Sequence, residues 1–137
     1  MDMACKTFPA TDECLPTALS FAEESLFEIG CKIGIIMQIT VCIEEMFVNV
    51  AHYAYTGGNG TVTLSLEKED ESVSITLRDK GVAFDPLAKK DPDITLSADD
   101  RPIGGLGIFM VKKSMDAVEY RRQNGENIFT MKKRITQ

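Results

Sequence analysis

Apolar residues recur at helical spacing over two stretches in the first half of the chain. Leu15, Leu19, Ala22, Leu26 and Ile29 fall on one face of a helix predicted over residues 13–29. Thr11 or Asp12 is its expected N-cap and Gly30 its terminator. Ile36, Ile39, Ile43, Met46, Phe47, Val50 and Ala54 form the buried stripe of a second helix over residues 32–55. Thr56-Gly57-Gly58-Asn59-Gly60 then breaks the chain. Beyond it the period changes to two. Residues 61–68 and 72–79 alternate, with Val62, Leu64 and Leu66 on one side of the first strand and Val73, Ile75 and Leu77 on one side of the second. Glu69-Asp70-Glu71 is the expected hairpin turn.

Residues 80–103 hold Asp85-Pro86, Asp91-Pro92, Asp99-Asp100 and Arg101-Pro102, and read as one long loop. A loop of that length inside a compact domain is usually functional or disordered. Gly104-Gly105-Leu106-Gly107 opens a helix to about Met115. Two closing strands, 117–123 and 127–134, meet at the turn pair Asn124-Gly125. A short strand over 3–8, ended by Pro9, precedes all of these. Helices and strands thus come in separate runs. That order predicts an α+β fold, a two-layer sandwich whose mostly antiparallel sheet is covered by helices on one face. The 137 residues form one expected domain, with no internal repeat and no linker.

Charge narrows the partners. Fifteen Lys and Arg against 21 Asp and Glu leave a net charge of -6, which disfavours non-specific binding to a nucleic-acid backbone. The basic clusters Lys112-Lys113, Arg121-Arg122 and Lys132-Lys133-Arg134 read as solvated faces. Cys5, Cys14, Cys31 and Cys42 make no CxxC pair and His52 is the single histidine, so no zinc site is expected. The start MDMACKTFPA has neither a basic nor an apolar leader region, and the apolar stretches are interrupted short of a membrane span. These features predict a cytosolic protein with reduced thiols and no membrane partner.

Three constellations can carry chemistry. Glu45 and Asn49 share a helix face at i and i+4. An amide oxygen can ligate Mg2+, and the carboxylate can accept a proton from a hydroxyl. Asp79 ends a strand, with Gly81 two residues on. A carboxylate there can accept a hydrogen bond from an exocyclic amine, and a glycine lets the backbone approach a base. Gly104-Gly105-Leu106-Gly107 exposes N–H groups at a helix start, which suits an anion. Taken singly, the first two are outweighed by an ordinary reading, a solvent-facing Glu-Asn pair and an Asp-x-Gly turn; the third favours a phosphate only modestly over a glycine hinge.

Their order along one short chain is more specific. The segments IEEMFVNVAHYAY, LRDKGVAFDP and RPIGGLGIFMVKKSMDAVEYRRQNGENIFTMKK resemble the N, G1 and G2 boxes of the GHKL (histidine-kinase-like ATPase) fold. Within it, the anti-sigma-factor serine kinase branch is the most similar, and the resemblance runs from about residue 8 to 134. That resemblance implies Glu45 as general base, Asn49 as Mg2+ ligand, Asp79 as the adenine acceptor, Gly81 beneath the base, residues 85–103 as an ATP lid, and Gly105 and Gly107 at the phosphates. It further implies ATP with Mg2+, a small anti-sigma-factor antagonist protein as phosphoacceptor, a sigma factor as a second partner, and a homodimer.

Departures from the pattern are local. His52 stands one residue before the position where the family often carries His, which is Tyr53 here. The Thr-rich closing motif is Asn127-Ile128-Phe129-Thr130, which weakens a phosphate role for Thr130, and Arg101 is expected in solvent. A regulatory module of the same fold that binds ATP or a protein without phosphotransfer is the alternative. A histidine kinase would need its acceptor histidine on another chain, and a topoisomerase- or chaperone-type enzyme would need further domains.

Overall fold

The computed structural model describes residues 2–55, 59–88 and 106–135. In chain order they form β1 (Met3–Pro9), α1 (Leu15–Ile29), α2 (Ile33–Asn49), β2 (Thr61–Glu69), β3 (Ser72–Asp79), α3 (Leu106–Ser114), β4 (Ala117–Gln123) and β5 (Glu126–Arg134). A 3-10 turn at Asp12–Cys14 leads into α1, another at Pro86–Ala88 follows β3, and a π-helical turn at Val50–Ala54 extends α2.

The helix ends follow from local chemistry, with one correction. Gly30 sits at φ 106, and its N–H reaches the carbonyls of Leu26 and Phe27 while that of Cys31 returns to Leu26. This left-handed stop needs glycine. Neither Thr11 nor Asp12 caps α1. The residues after Thr11 close the 3-10 turn, Cys14 takes the cap position, and the Asp12 carboxylate turns to His52 at 2.9 Å. The second predicted helix is also not uniform. Its last turn widens to a π-helical hydrogen-bond pattern directly after Asn49.

All five strands join one antiparallel sheet in the order β1-β2-β3-β5-β4. Asn124 and Gly125 both take positive φ, 54 and 78, the backbone of a type I′ hairpin. Because side chains alternate along a strand, the odd-numbered residues Val73, Ile75, Leu77 and Asp79 of β3 point to the same face. On β5 that face holds Asn127, Phe129 and Met131. The helices cover it. Ala18, Ala22 and Leu26 of α1, and Ile39, Ile43 and Phe47 of α2, are fully buried with Val62, Leu64, Leu66, Val73, Ile75 and Met131 of the sheet. Thr130 lies on the opposite face, its hydroxyl 3.3 Å from that of Thr76.

With its π-helical extension, α2 runs from Ile33 to Ala54 and is long and apolar enough, by length and composition, to cross a membrane. The interrupted stretches in the sequence understate this, because Cys42 and the helix's outward Ile33, Met37 and Val41 add to the apolar total. Its inner face is the core of the fold, as expected for the central helix of a sandwich. The four cysteines are free thiols, and burial pushes those of Cys31 and Cys42 up.

Phe47→Ala should cost about 3–5 kcal/mol, because it opens a cavity in this core. Phe27→Ala, at a residue 75% exposed, should stay within about 0.5 kcal/mol. Chemical denaturation of the two variants checks the contrast.

Candidate functional site: a cleft at the end of the second helix

The π-helical turn and the loop after β3 close one end of the sandwich. Between them lies a cleft open to solvent. Met46, Val50, Leu77, Phe84 and Phe129 give it apolar walls, and Asn49, Asp79 and Asn127 supply the amide and carboxylate groups. Tyr53 and Tyr120 stand at its sides. A slot with apolar walls and a few convergent polar atoms suits a planar heterocycle.

Asp79 is 6% exposed and ends the inward row of β3. Its Oδ1 accepts the Gly81 N–H and the Asn127 side-chain N–H, both at 2.9 Å. Asp79 also lines the cleft. Gly81 is required by packing: a side chain there would overlap the Ala54 carbonyl. That carbonyl accepts the Val82 N–H at 2.8 Å, so the π-helical turn and the loop after β3 are stitched together.

The rest of the loop is held just as closely. The Lys80 N–H donates to the Tyr55 hydroxyl at 2.9 Å, and that hydroxyl donates to the Thr61 carbonyl at 2.7 Å. Arg122 donates to the Gly81 carbonyl at 2.8 Å. Asn127 donates to the Val82 carbonyl at 2.8 Å and accepts the Phe84 N–H at 3.3 Å and the Tyr120 hydroxyl at 2.5 Å. A loop after a strand would ordinarily be free to move. This one is built into the fold from four sides.

Asn49 and Asp79, predicted from separate motifs, meet in this cleft. The Asn49 side chain is half-buried and makes no hydrogen bond among the described residues. Glu45, one turn earlier on α2, does not line the cleft. It lies against the start of α3, where a side chain added at Gly107 would overlap its carboxylate. Gly107 therefore adjoins the Glu45 carboxylate. Gly105, Arg101 and residues 89–103 of the expected lid fall outside the described residues. His52 pairs with Asp12 in solvent and does not join the cleft.

Sequence reasoning gave no role to Asn127, Tyr120, Tyr55 or Arg122. Only Asn127 carried a usable signal. It is a polar residue on the inward parity of a strand whose next members are Phe129 and Met131. Tyr55, Tyr120 and Arg122 act through atoms at least six residues away in sequence, so no local pattern marks them.

The fit to nucleotide can be tested on these residues. A buried acceptor, a glycine cradle and apolar walls match adenine. An Asn amide oxygen without a cluster of acidic ligands suits Mg2+, which keeps most of its shell as water and phosphate oxygens. No group of three or more His, Cys, Asp or Glu side chains stands ready for a metal among the described residues.

Comparison with known proteins agrees. A model of the histidine kinase-like ATPase domain family matches residues 8–133. The serine/threonine-protein kinase BtrW of Bordetella bronchiseptica is 32% identical over 94 residues, covering 68% of this chain and 66% of that protein. The serine-protein kinase RsbW of Halalkalibacterium halodurans is 28% identical over 123 residues, covering 87% of this chain and 75% of the relative. The solved structure of RsbU and RsbW domains from a Mycobacterium tuberculosis protein superposes on 100% of this chain, and 33% of that one, with a TM-score of 0.70 at 18% identity. The SiaB–SiaC complex from Pseudomonas aeruginosa gives 0.60 at 14% identity, over 95% of this chain and 88% of the matched one. These two likenesses concern the fold alone. The matches span 66% and 75% of the length of these two curated relatives. With the family model covering all three helices, every residue that lines the cleft and strands β2 to β5 as far as residue 133, this chain belongs to the histidine kinase-like ATPase domain family.

Proposed function

We propose that this chain is an ATP-dependent serine kinase that phosphorylates a small anti-sigma-factor antagonist and so acts in partner switching. The observation that carries the reading is the meeting of Asn49 and Asp79 in one cleft, with Glu45 one turn away on the same helix. Membership of an ATPase family and the serine kinases among its relatives support it. A sigma factor as second partner, a homodimer and a cytoplasmic location belong to the same proposal.

In this mechanism Asp79 accepts the exocyclic amine of adenine and Gly81 lets the base lie against the backbone. Asn49 would hold Mg2+, which would neutralise charge on the phosphates. Gly105 and Gly107, the glycines of the helix-start motif, would bind the phosphate chain. Glu45 takes the proton from the acceptor serine hydroxyl as its oxygen attacks the γ-phosphorus. The bond to the β–γ bridging oxygen breaks, and ADP leaves with that electron pair. Such a base contributes about 10²–10⁴ in rate, and positioning supplies most of the remainder. The Glu45 carboxylate lies beside Gly107, next to the expected phosphate site.

Calorimetric titration with ATP, with and without Mg2+, and with GTP as control, tests the reading first. Adenine-selective, Mg-enhanced binding is expected. Silence with both nucleotides would replace it with a protein-binding module that has no phosphotransfer. Glu45→Ala should keep ATP affinity and lose about 10²-fold or more in γ-phosphate transfer to the antagonist protein. Transfer at the normal rate would remove Glu45 from the mechanism. Asn49→Ala should abolish the gain from Mg2+, and Asp79→Asn should narrow the gap between ATP and GTP.

The contact between Glu45 and Gly107 gives a separate expectation for stability. Gly107→Ala should stay within about 0.5 kcal/mol, because the group a new methyl meets, the Glu45 carboxylate, is the end of a flexible side chain that can swing aside. A larger loss, read from the denaturation midpoint, would mean that the carboxylate is held in place.

A further inference from the structure

Asn127 is a buried polar side chain on an otherwise apolar row, 6% exposed. Buried amides are retained when all their hydrogen-bonding capacity is met. Its capacity is met in full. The two N–H donors go to Asp79 Oδ1 at 2.9 Å and the Val82 carbonyl at 2.8 Å. The carbonyl oxygen accepts from Phe84 N–H at 3.3 Å and from Tyr120 at 2.5 Å. These partners also fix which way the amide points. Turned over, it would set oxygen against the Asp79 carboxylate and the Val82 carbonyl, and N–H against N–H at Phe84. No donor or acceptor remains for a ligand, although Asn127 lines the cleft.

We propose that Asn127 is a positioning residue that sets base selectivity through Asp79, by occupying Oδ1 and so presenting Oδ2 to the cleft. The inference rests on the ATP-binding reading above. Antiparallel register supplies the pairing, since Asp79 and Asn127 are cross-strand partners. Cross-strand neighbours on one face lie within reach of a direct hydrogen bond. The chemistry follows from the carboxylate's orientation. An oxygen that can only accept attracts the exocyclic amine of adenine and repels the carbonyl oxygen that guanine carries at that position. If Asp79 could rotate, either oxygen could withdraw and the discrimination would weaken. The same amide holds Val82 and Phe84, so the loop beneath the base and the acceptor are set by one side chain.

Asn127→Asp separates this role from bulk structural support. The change keeps the shape and the acceptor but removes both donors, and it sets two carboxylates 2.9 Å apart or less, where they cannot both ionise freely. One of the pair is then raised. Below that raised value a shared proton restores an O–H donor to Asp79; above it the donor is lost and the charges repel. Among the described residues, Tyr53 of the π-helical turn and Tyr120 of β4 line the cleft with the pair, and Arg122 of β4 reaches the neighbouring Gly81 carbonyl. None is an imidazole, because His52 faces Asp12 instead.

ATP and GTP affinities of the wild type and of Asn127→Asp, measured with Mg2+ at pH 5.5 and pH 8, test the proposal. Taking the variant against the wild type at each pH cancels the titration of the nucleotide. The expected result is near-equal ATP affinity at the lower pH. At the higher pH, ATP affinity should fall by about tenfold or more, with a smaller loss for GTP. Equal losses for both nucleotides at both pH values would mean that Asn127 only braces the fold, and the proposal would fail. Unchanged affinity throughout would also overturn it. If Asn127→Asp does not fold, as judged by circular dichroism, Tyr120→Phe serves instead. It loosens the amide from the other side, and should lower the ATP-to-GTP ratio by a few-fold with the fold intact; an unchanged ratio there overturns the proposal. Absence of nucleotide binding by the wild type would sink the ATP-binding reading, and this inference with it.

Discussion

The burial of one face of α2 against the sheet is the constraint from which the rest follows. Ile39, Ile43 and Phe47 are buried in one cluster with Leu64, Leu66, Ile75 and Leu77, at close-packed density. That contact fixes where the helix ends and how it is rotated. With the inner face committed to the core, Glu45 and Asn49 must lie to its flank, where they are half-buried and accessible. The same contact holds the inward row of β3 under the helix, and Asp79 is the last member of that row. A carboxylate at this position would be costly in the core proper. It is tolerated because two N–H donors meet it and the cleft opens beside it.

The π-helical turn links the two halves of the site. A helix end leaves its last carbonyls without intrahelical partners. Here the Ala54 carbonyl finds one in the Val82 N–H of the loop after β3. The close approach this requires is possible because residue 81 has no side chain. π-helical turns are uncommon and tend to occur at functional sites. This one begins at the residue after Asn49, so the element that carries the proposed metal ligand also shapes the floor of the cleft. Tyr55, Arg122 and Asn127 then hold the loop from the side of the sheet.

Much of the architecture was legible in the order of residues. Both long helices, the β2–β3 hairpin and the β4–β5 hairpin lie within a residue or two of the spans that periodicity predicts. Gly30 and Asn124-Gly125 fall where left-handed backbone is needed. Two local expectations differed, each for a tertiary reason. Asp12 leaves the start of α1 for His52, forty positions away. The end of α2 widens to meet the loop.

The sequence by itself determined the two-layer class, the strand pairs and the segments that hold the candidate chemistry. Helical and strand periodicities are local properties, and Glu-x-x-x-Asn or Asp-x-Gly can be found by spacing alone. It could not decide that β5 would enter the sheet between β3 and β4, because strand order is a matter of which faces can be buried together. That single topological fact brings Asn127 beside Asp79, forty-eight positions apart in the chain. It also puts Tyr120 and Arg122 within reach of the loop and turns Thr130 to the outer face. Hydrogen bonds over such separations leave no periodic trace in a sequence. Only the folded sheet, in which every buried polar group must find a partner, selects them.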